Sequence, residues 1–171
     1  MRFKDQRIGI FIDVQNLYHS AKNLYDSKVN YAELVKNLTA NRHLIRALGY
    51  VVKSETQAGE ETPGEASFFE ALEKAGIDLR VKELQVFSSG MKKADWDVGM
   101  AVDAVRMADA LDVIILVTGD GDFLPLLDYL KWGRGRIVEV AGFGRNAAIR
   151  LKESADLFVD IAEIPKVLIK K

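Results

Sequence analysis

Apolar and polar positions form blocks along the chain that predict alternating strands and helices. The clearest block covers residues 112–123, where a continuous apolar run from Val113 to Val117 stops at two carboxylates. Such a run predicts a strand buried on both faces of a parallel sheet. Residues 8–13 repeat the pattern, with a short apolar strand that ends at Asp13. Both strands therefore carry acids at their carboxyl ends.

The remaining segments follow the same alternation. Helical periodicity covers residues 30–39 and 63–75, and strands are predicted at residues 43–53, 77–87, 135–141 and, at the sheet edge, 157–161. Residues 54–63 are polar and predict a mobile loop. Residues 96–111 form a helix that is apolar nearly all round, which predicts packing between layers. We expect an α/β fold with a mainly parallel central sheet and helices on both faces, in the Rossmann-like manner.

Asp120 and Asp122 are separated by one glycine, and we expect Asp13 beside them if the two strands are neighbours. Ligands bind at this edge of open α/β sheets. Carboxylates so close repel one another unless a cation lies between them. The alternative is that one acid caps the helix beginning near Phe123. A cap accounts for one acid and leaves the other two unexplained.

Composition narrows the chemistry. The 171 residues, 49% hydrophobic and 29% charged, fit one domain over residues 1–171 with a core of about 8–161. The chain has no cysteine, which excludes disulfides, thiolate zinc sites and cysteine nucleophiles. We see neither a signal-peptide core nor an apolar run of roughly 20 residues, so we expect a cytoplasmic protein that does not enter the membrane.

The net charge of −1 becomes informative when the candidate site is set apart. Removing Asp13, Asp97, Asp120 and Asp122 from the 25 acidic residues leaves 21 against 24 Lys and Arg, a remainder of +3. Concentrated acids among dispersed bases suit a metal site approached by a polyanion, although the balance is far from that of a strongly basic nucleic-acid binder.

Three further polar residues are ambiguous. Asn16 either orients a water or a phosphate oxygen or caps its helix, and capping is the favoured interpretation. Asp97 lies at the amino end of the middle helix, where the helix dipole favours carboxylates. Asp103 lies about 120° around that helix from Asp97, so both cannot point at one ion. We expect Asp103 to pair with Arg106, to orient a ligand, or to cap a backbone group.

Four motifs together resemble the NYN domain family of PIN-like nucleases, close to its LabA-like branch: residues 11–16, 97–103, 117–123 and 138–143. The resemblance implies a PIN-like fold and a cluster of acids that binds Mg²⁺ or Mn²⁺ and hydrolyses RNA. Carried over by position, the catalytic and metal-binding acids are Asp13, Asp97, Asp120 and Asp122. The family's Lys-Gly-x-Asp-Val pattern is replaced here by residues 93–98, and Asp97 is matched because Val98 follows it. Asp95 stays the alternative.

Phosphodiester hydrolysis needs a deprotonated water, neutralised phosphoryl oxygens and a stabilised leaving oxygen, which clustered divalent ions supply. In this interpretation Asp13 anchors the principal ion, Asp120 and Asp122 complete its shell, and Asp97 holds a second ion or orients the water. Thr118 hydrogen-bonds a carboxylate or the scissile phosphate, or only ends its strand.

Substrate contacts are expected from Lys93, before the middle helix, and from Arg145 and Asn146, after the strand that ends at Ala141. The segment 131–136 combines three bases with Trp132, a composition that suits single-strand binding. The favoured interpretation is instead a solvated helix end with Trp132 packed inward.

The leading hypothesis is therefore a Mg²⁺- or Mn²⁺-dependent ribonuclease with RNA as its partner. The rival is a non-catalytic RNA- or protein-binding regulator that keeps the fold. A haloacid-type phosphatase is disfavoured, because Gln15 stands where that family has a second Asp. The sequence leaves open whether the protein forms a homo-oligomer.

Overall fold

A computed structural model describes residues 2–53, 63–83, 85–86, 92–93 and 96–170. Its first half contains the strands β1 (Arg7–Asp13), β2 (Ser27–Val29), β3 (His43–Lys53), β4 (Asp78–Glu83), β5 (Gln85–Val86) and β6 (Lys92–Lys93), and the helices α1 (Val14–Tyr25), α2 (Tyr31–Thr39) and α3 (Pro63–Lys74). Its second half contains α4 (Asp97–Met107), β7 (Val113–Val117), α5 (Leu124–Asp128), β8 (Ile137–Gly142), α6 (Ile149–Ser154), β9 (Leu157–Asp160) and β10 (Leu168–Lys170).

Six strands form one sheet in the order β4-β3-β1-β7-β8-β9, and every neighbouring pair is parallel. The chain starts in the middle of the sheet, builds outward to β4, and returns through β7 to build the other half. The predicted parallel sheet, the adjacency of β1 and β7, and the edge position of the strand at 157–161 are confirmed.

Alternating residues of the central strands supply two cores. In β1, Ile8, Ile10 and Ile12 pack with α1, α2 and α3, whereas Phe11 faces the opposite layer with α4, α5 and α6. In β7, all five residues are buried. A central strand covered on both sides needs an unbroken apolar sequence, because each of its faces contacts helices. The predicted α/β three-layer sandwich is confirmed.

The structure corrects two expectations and adds one element. Helix α4 is not packed between layers on all sides. Val98 is 76% exposed, and the buried residues of the helix are Met100, Asp103 and Ala104. The strand predicted at 77–87 ends at Glu83, and Gln85–Val86 pairs with β6 in a separate antiparallel ribbon. A second ribbon of β2 and β10 had no sequence signal.

Other boundaries follow the sequence closely. Helix α3 begins at Pro63, as predicted, whereas residues 54–62 of the predicted loop lie outside the described residues. Gly76 follows that helix with a φ of 87°, a conformation that glycine adopts without strain. Across the described ranges, the helices are all too short or too polar to cross a bilayer.

Candidate metal centre

The carboxyl ends of β1 and β7 lie side by side, because Ile12 pairs with Val117 in the sheet. Asp13 ends β1 and caps α1: its Oδ1 accepts a hydrogen bond from the Asn16 amide at 3.3 Å. Thr118 follows β7 and donates its hydroxyl to Oδ2 of Asp13 at 3.0 Å. The two strand ends are thus joined by a hydroxyl–carboxylate hydrogen bond.

Two backbone amides fix the loop that follows β7. The Gly119 amide donates to Oδ1 of Asn16 at 3.0 Å, and the Asp120 amide donates to Oγ1 of Thr118 at 3.1 Å. The side chain of Asn16 therefore holds this loop in place. The prediction that Asn16 caps its own helix is wrong, because Asp13 occupies the cap position.

Asp120 and Asp122 are separated by the first residue of a 3-10 turn, Gly121–Phe123. Oδ1 of Asp120 accepts a hydrogen bond from the Asp122 amide at 2.9 Å, so the capping interpretation holds for Asp120. A Cβ at Gly119 would lie 3.2 Å from Cα of Ala147, and one at Gly121 would lie 3.0 Å from Cβ of Ala148. These glycines allow close packing against that segment, and neither has the positive φ of a sharp glycine turn.

Asp97 reaches the same place from the other side as the first residue of α4. The preceding Trp96 donates its indole N–H to the Val51 carbonyl at 2.9 Å, and its ring lies 5.5 Å from that of Tyr50. The start of α4 is therefore fixed against the carboxyl half of β3. One oxygen each from Asp97, Asp120 and Asp122 lies within 4.8 Å of the others, and we call these three residues the Asp cluster.

Asp13 is close to the Asp cluster and does not belong to it. It lines a cavity of about 230 Å³, the acidic cavity, together with Gln15, Asn16, His19, Tyr50, Trp96, Asp97 and Asp120. The four acids expected from the sequence thus converge on one region, but three form the tight group and the fourth borders the adjoining space.

The family model of the NYN domain matches residues 7–162. The chain belongs to the NYN domain family. It is 27% identical to the low amplitude and bright protein LabA of Synechococcus elongatus, over 96% of this chain and 88% of LabA. Its structure is similar to that of a protein of unknown function from Vibrio parahaemolyticus, with a TM-score of 0.86, 29% identity, and 99% of each chain covered.

The Asp cluster of this NYN domain fits a hard divalent cation. Oxygen ligands of Mg²⁺ lie about 2.0–2.1 Å from the ion, so two ligands on opposite sides of it are about 4.2 Å apart. The three oxygens of the Asp cluster lie within 4.8 Å of one another, a separation of the same size. Carboxylates are also the ligands that Mg²⁺ and Mn²⁺ prefer. The donor set and the spacing both suit such an ion.

Asp103 takes no part in the Asp cluster. Its Oδ2 accepts hydrogen bonds from the Tyr50 hydroxyl at 2.8 Å and from Nε of Arg80 at 3.1 Å. The expected pairing with Arg106 exists at 3.7 Å but is the longest of these contacts. Asp103 therefore anchors Tyr50, whose ring lines the acidic cavity.

Two tyrosines next to the site are held in their neutral form. Burial, and then the hydrogen bond to Asp103, raise the pKa of the Tyr50 hydroxyl. Burial, and then the negative charge of Asp13, raise the pKa of the Tyr31 hydroxyl. Neither phenol supplies a phenolate at ordinary pH, so the anionic groups around the site are carboxylates.

Two of the expected substrate residues, Asn146 and Arg145, contact side chains of α1. The Asn146 side chain donates to the Ser20 hydroxyl at 3.0 Å, and the Arg145 guanidinium lies 5.0 Å from the Tyr25 ring. Both therefore rest on α1. The backbone of Lys93 lies in β6, and Asp95 falls outside the described residues.

The expectation that Trp132 packs inward is wrong. Trp132 is 76% exposed, and its ring lies 5.1 Å from the Lys131 ammonium. The segment does lie at the far end of the sheet, because Arg134 bonds Asp109 before β7 and Lys131 bonds the Ser154 carbonyl before β9. Trp132 lies within a five-residue π-helical turn, Tyr129–Gly133.

Sequence reasoning missed four residues of the acidic cavity: Gln15, His19, Tyr50 and Trp96. Gln15 and His19 are four residues apart on α1, a spacing that would have placed them on one helical face. Tyr50 and Trp96 carried no such signal, because their position depends on the contact between β3 and the start of α4.

Proposed function

We propose that this NYN domain is a Mg²⁺- or Mn²⁺-dependent ribonuclease that hydrolyses RNA phosphodiester bonds. The observation that carries the proposal is the convergence of Asp97, Asp120 and Asp122 within 4.8 Å at the carboxyl edge of the sheet. A cluster of three Asp in an NYN domain supports a metal-dependent nuclease in general. RNA as the substrate and the identity of the ion belong to the proposal.

Asp97, Asp120 and Asp122 would hold the cation. When bound, a divalent cation neutralises charge on the phosphoryl oxygens and makes a bound water more acidic. Asp13 borders the acidic cavity and would accept a hydrogen bond from the attacking water, with one of its oxygens kept in place by Thr118. In this proposal Asp13 is the fourth catalytic acid, although it lies outside the Asp cluster.

Asn16 and Thr118 would act as positioning residues, because they hold the Gly119–Asp120 backbone through hydrogen bonds of 3.0 and 3.1 Å. Arg145, Asn146 and Lys93 would contact the RNA backbone. The position of Arg145 after the carboxyl end of β8 supports this role, and its exposed side chain reaches Tyr25 at the C-terminal end of α1. Cations at such an edge favour phosphate groups.

The proposal is tested by incubating the protein with end-labelled single-stranded RNA, with Mn²⁺ or with a chelator. We expect cleavage only with Mn²⁺, and we expect Asp120→Asn and Asp13→Asn to abolish it. Asp128→Asn is the matched control, because this exposed residue of α5 lies outside the Asp cluster. Intact RNA retained on the protein under both conditions would support the non-catalytic regulator instead.

A further inference from the structure

A second and larger cavity, of about 850 Å³, adjoins the acidic cavity. Gln15 and His19 line both, so the two spaces meet along one face of α1. Away from this shared border the lining is mainly aromatic and aliphatic, with Tyr18, Tyr31, Phe68 and Phe69 as its rings. We call this second space the aromatic groove.

The rings of the aromatic groove hold one another in place. Tyr18 contacts Phe68 edge to face at a centroid distance of 6.1 Å and His19 at 5.5 Å. Phe68 makes a similar contact with Tyr31 at 6.1 Å. Tyr18 nevertheless stays 38% exposed. A ring that is fixed by neighbours and still open to solvent loses little conformational entropy when a flat ligand stacks on it.

The two cavities together restrict the chemistry of a ligand that spans them. At the Asp cluster the ligand must present an anion that a divalent cation can bind. Along α1 from Gln15 to Tyr18, about 4.5 Å of helix axis, it must present a flat apolar group. Lys28 and Glu65, of opposite charge, also line the groove. A nucleotide within a single strand meets both requirements, with a phosphodiester at the Asp cluster and a base beside it.

Unpaired bases are required, because in a duplex the faces of the bases are already stacked and their edges are paired. Single-stranded nucleic acids are commonly held by aromatic side chains on which successive bases stack. We infer that the aromatic groove binds an unpaired nucleobase of the RNA, adjacent to the phosphate at the Asp cluster. This inference rests on the proposed function, since it places the scissile strand across both cavities.

The binding test uses the Asp120→Asn protein, so that RNA is not consumed, and measures filter retention of a labelled single-stranded oligoribonucleotide. Adding Tyr18→Ala should weaken binding about tenfold, the effect of losing one stacked base. An oligonucleotide with an abasic residue at the bound position should bind both proteins with similar, weaker affinity. Tyr129→Ala is the matched control, because this exposed tyrosine lies at the opposite edge of the sheet and should leave binding unchanged.

Cleavage by the otherwise unaltered protein separates the two hypotheses. Tyr18→Ala should raise KM with little change in kcat, because the ring contacts the base and not the reacting phosphate. RNA binding that depends on Tyr18 but is followed by no cleavage would support base binding in the aromatic groove and contradict the proposed nuclease activity. Metal-dependent cleavage, together with an RNA affinity that Tyr18→Ala leaves unchanged, would contradict base binding in the aromatic groove and leave the nuclease proposal standing. A dimer in sedimentation that Tyr18→Ala dissociates, with unchanged RNA affinity, would overturn the inference and identify an interface between copies.

Discussion

The hydroxyl of Thr118 lies 3.0 Å from Oδ2 of Asp13, and it also accepts the backbone amide of Asp120 at 3.1 Å. Thr118 has no exposed surface. One buried hydroxyl therefore links the acid at the end of β1 to the loop that follows β7. A displacement of either strand end would be transmitted to the Asp cluster through this group.

Thr118→Val should lower the free energy of unfolding by about 1–3 kcal/mol, because it leaves the Asp120 amide without its acceptor at the same side-chain volume. It should also weaken Mn²⁺ binding by displacing the loop. Thr118→Ser is the control: it loses one buried methyl, about 0.8 kcal/mol, and keeps the hydroxyl and the metal affinity. Denaturant titration and calorimetry measure the two effects. Equal behaviour of the Val and Ser variants would contradict the bridging role.

Asp120→Asn should leave the metal-free protein as stable as the original or more stable. Asparagine keeps an Oδ1 acceptor for the Asp122 amide and removes one of three clustered negative charges. At 100 times its Kd, Mn²⁺ should increase the free energy of unfolding of the original protein by about 2.7 kcal/mol through mass action, and so raise its melting temperature. It should have little effect on the variant.

Asp120→Ala provides the contrast, because it loses both the charge and the cap. A lost cap costs about 1 kcal/mol, so this variant should be less stable than Asp120→Asn in chelator. Thermal melts of the three proteins, with Mn²⁺ and with chelator, decide the matter. A destabilised Asn variant combined with no Mn²⁺ effect on the original protein would argue against a cation at the Asp cluster.

The pair of Arg7 and Asp112 should make stability depend on pH below about 4. Arg7 donates Nε, an Nη and its backbone amide to Asp112, at 3.1, 3.0 and 2.8 Å. The side-chain contacts first, and then the backbone contact, lower the pKa of Asp112 from 3.8 to about 2. Because the pKa of Asp112 is lower in the folded protein, the pair stabilises the fold at pH values above the pKa of the unfolded chain. This contribution is lost as the pH falls from about 4 to about 2.

Solvent screens this half-exposed pair, so the contribution is at most about 1 kcal/mol. Asp112→Asn should therefore reduce the urea midpoint at pH 6 and have a smaller effect at pH 2.5. In an Arg7→Gln background the pH dependence of that difference should be reduced. A difference that grows on acidification would reverse the expected sign.

The buried pair of Arg42 and Glu139 should be sensitive to loss of one partner. Two hydrogen bonds of 2.8 and 3.0 Å join the side chains, which are almost wholly excluded from solvent. Arg42→Met should cost about 3–5 kcal/mol, because it leaves the buried Glu139 with only Arg2, at 3.7 Å, as a charged partner and removes the hydrogen bonds to the Leu38 and Thr39 carbonyls. The double variant Arg42→Met/Glu139→Met should be less destabilised in guanidinium titrations. A double variant no better than the single one would show that the charge left on Glu139 is not the cause of the loss.

The central half of the fold could be predicted because its signals are local. The unbroken apolar run of β7 and the shorter run of β1 specify buried parallel strands, and acids directly after them must share a sheet edge. The family motif then indicated Asp97, which the structure brings to Asp120 and Asp122. That the chain forms a single domain, and that it is cytoplasmic, remain predictions.

The rest depends on contacts between distant segments. Asn16 receives the Gly119 amide from 103 residues away, and no pattern around Asn16 distinguishes this role from a helix cap. The ribbon of β2 and β10 joins two three-residue strands that are too short to show a period of two. Trp132 lies in a π-helical turn and is exposed, and nothing in the composition of residues 131–136 distinguishes an inward from an outward indole.

The two tryptophans of the chain lie at opposite ends of the sheet. Trp96 lines the acidic cavity with its indole N–H bonded to Val51, whereas Trp132 is exposed beyond the amino ends of β7 and β9. Their fluorescence should consequently separate, with Trp132 emitting at longer wavelength and largely open to iodide quenching. Trp132→Phe would leave Trp96 as a single emitter, whose intensity reports directly on occupation of the site that its own neighbour Asp97 helps to form.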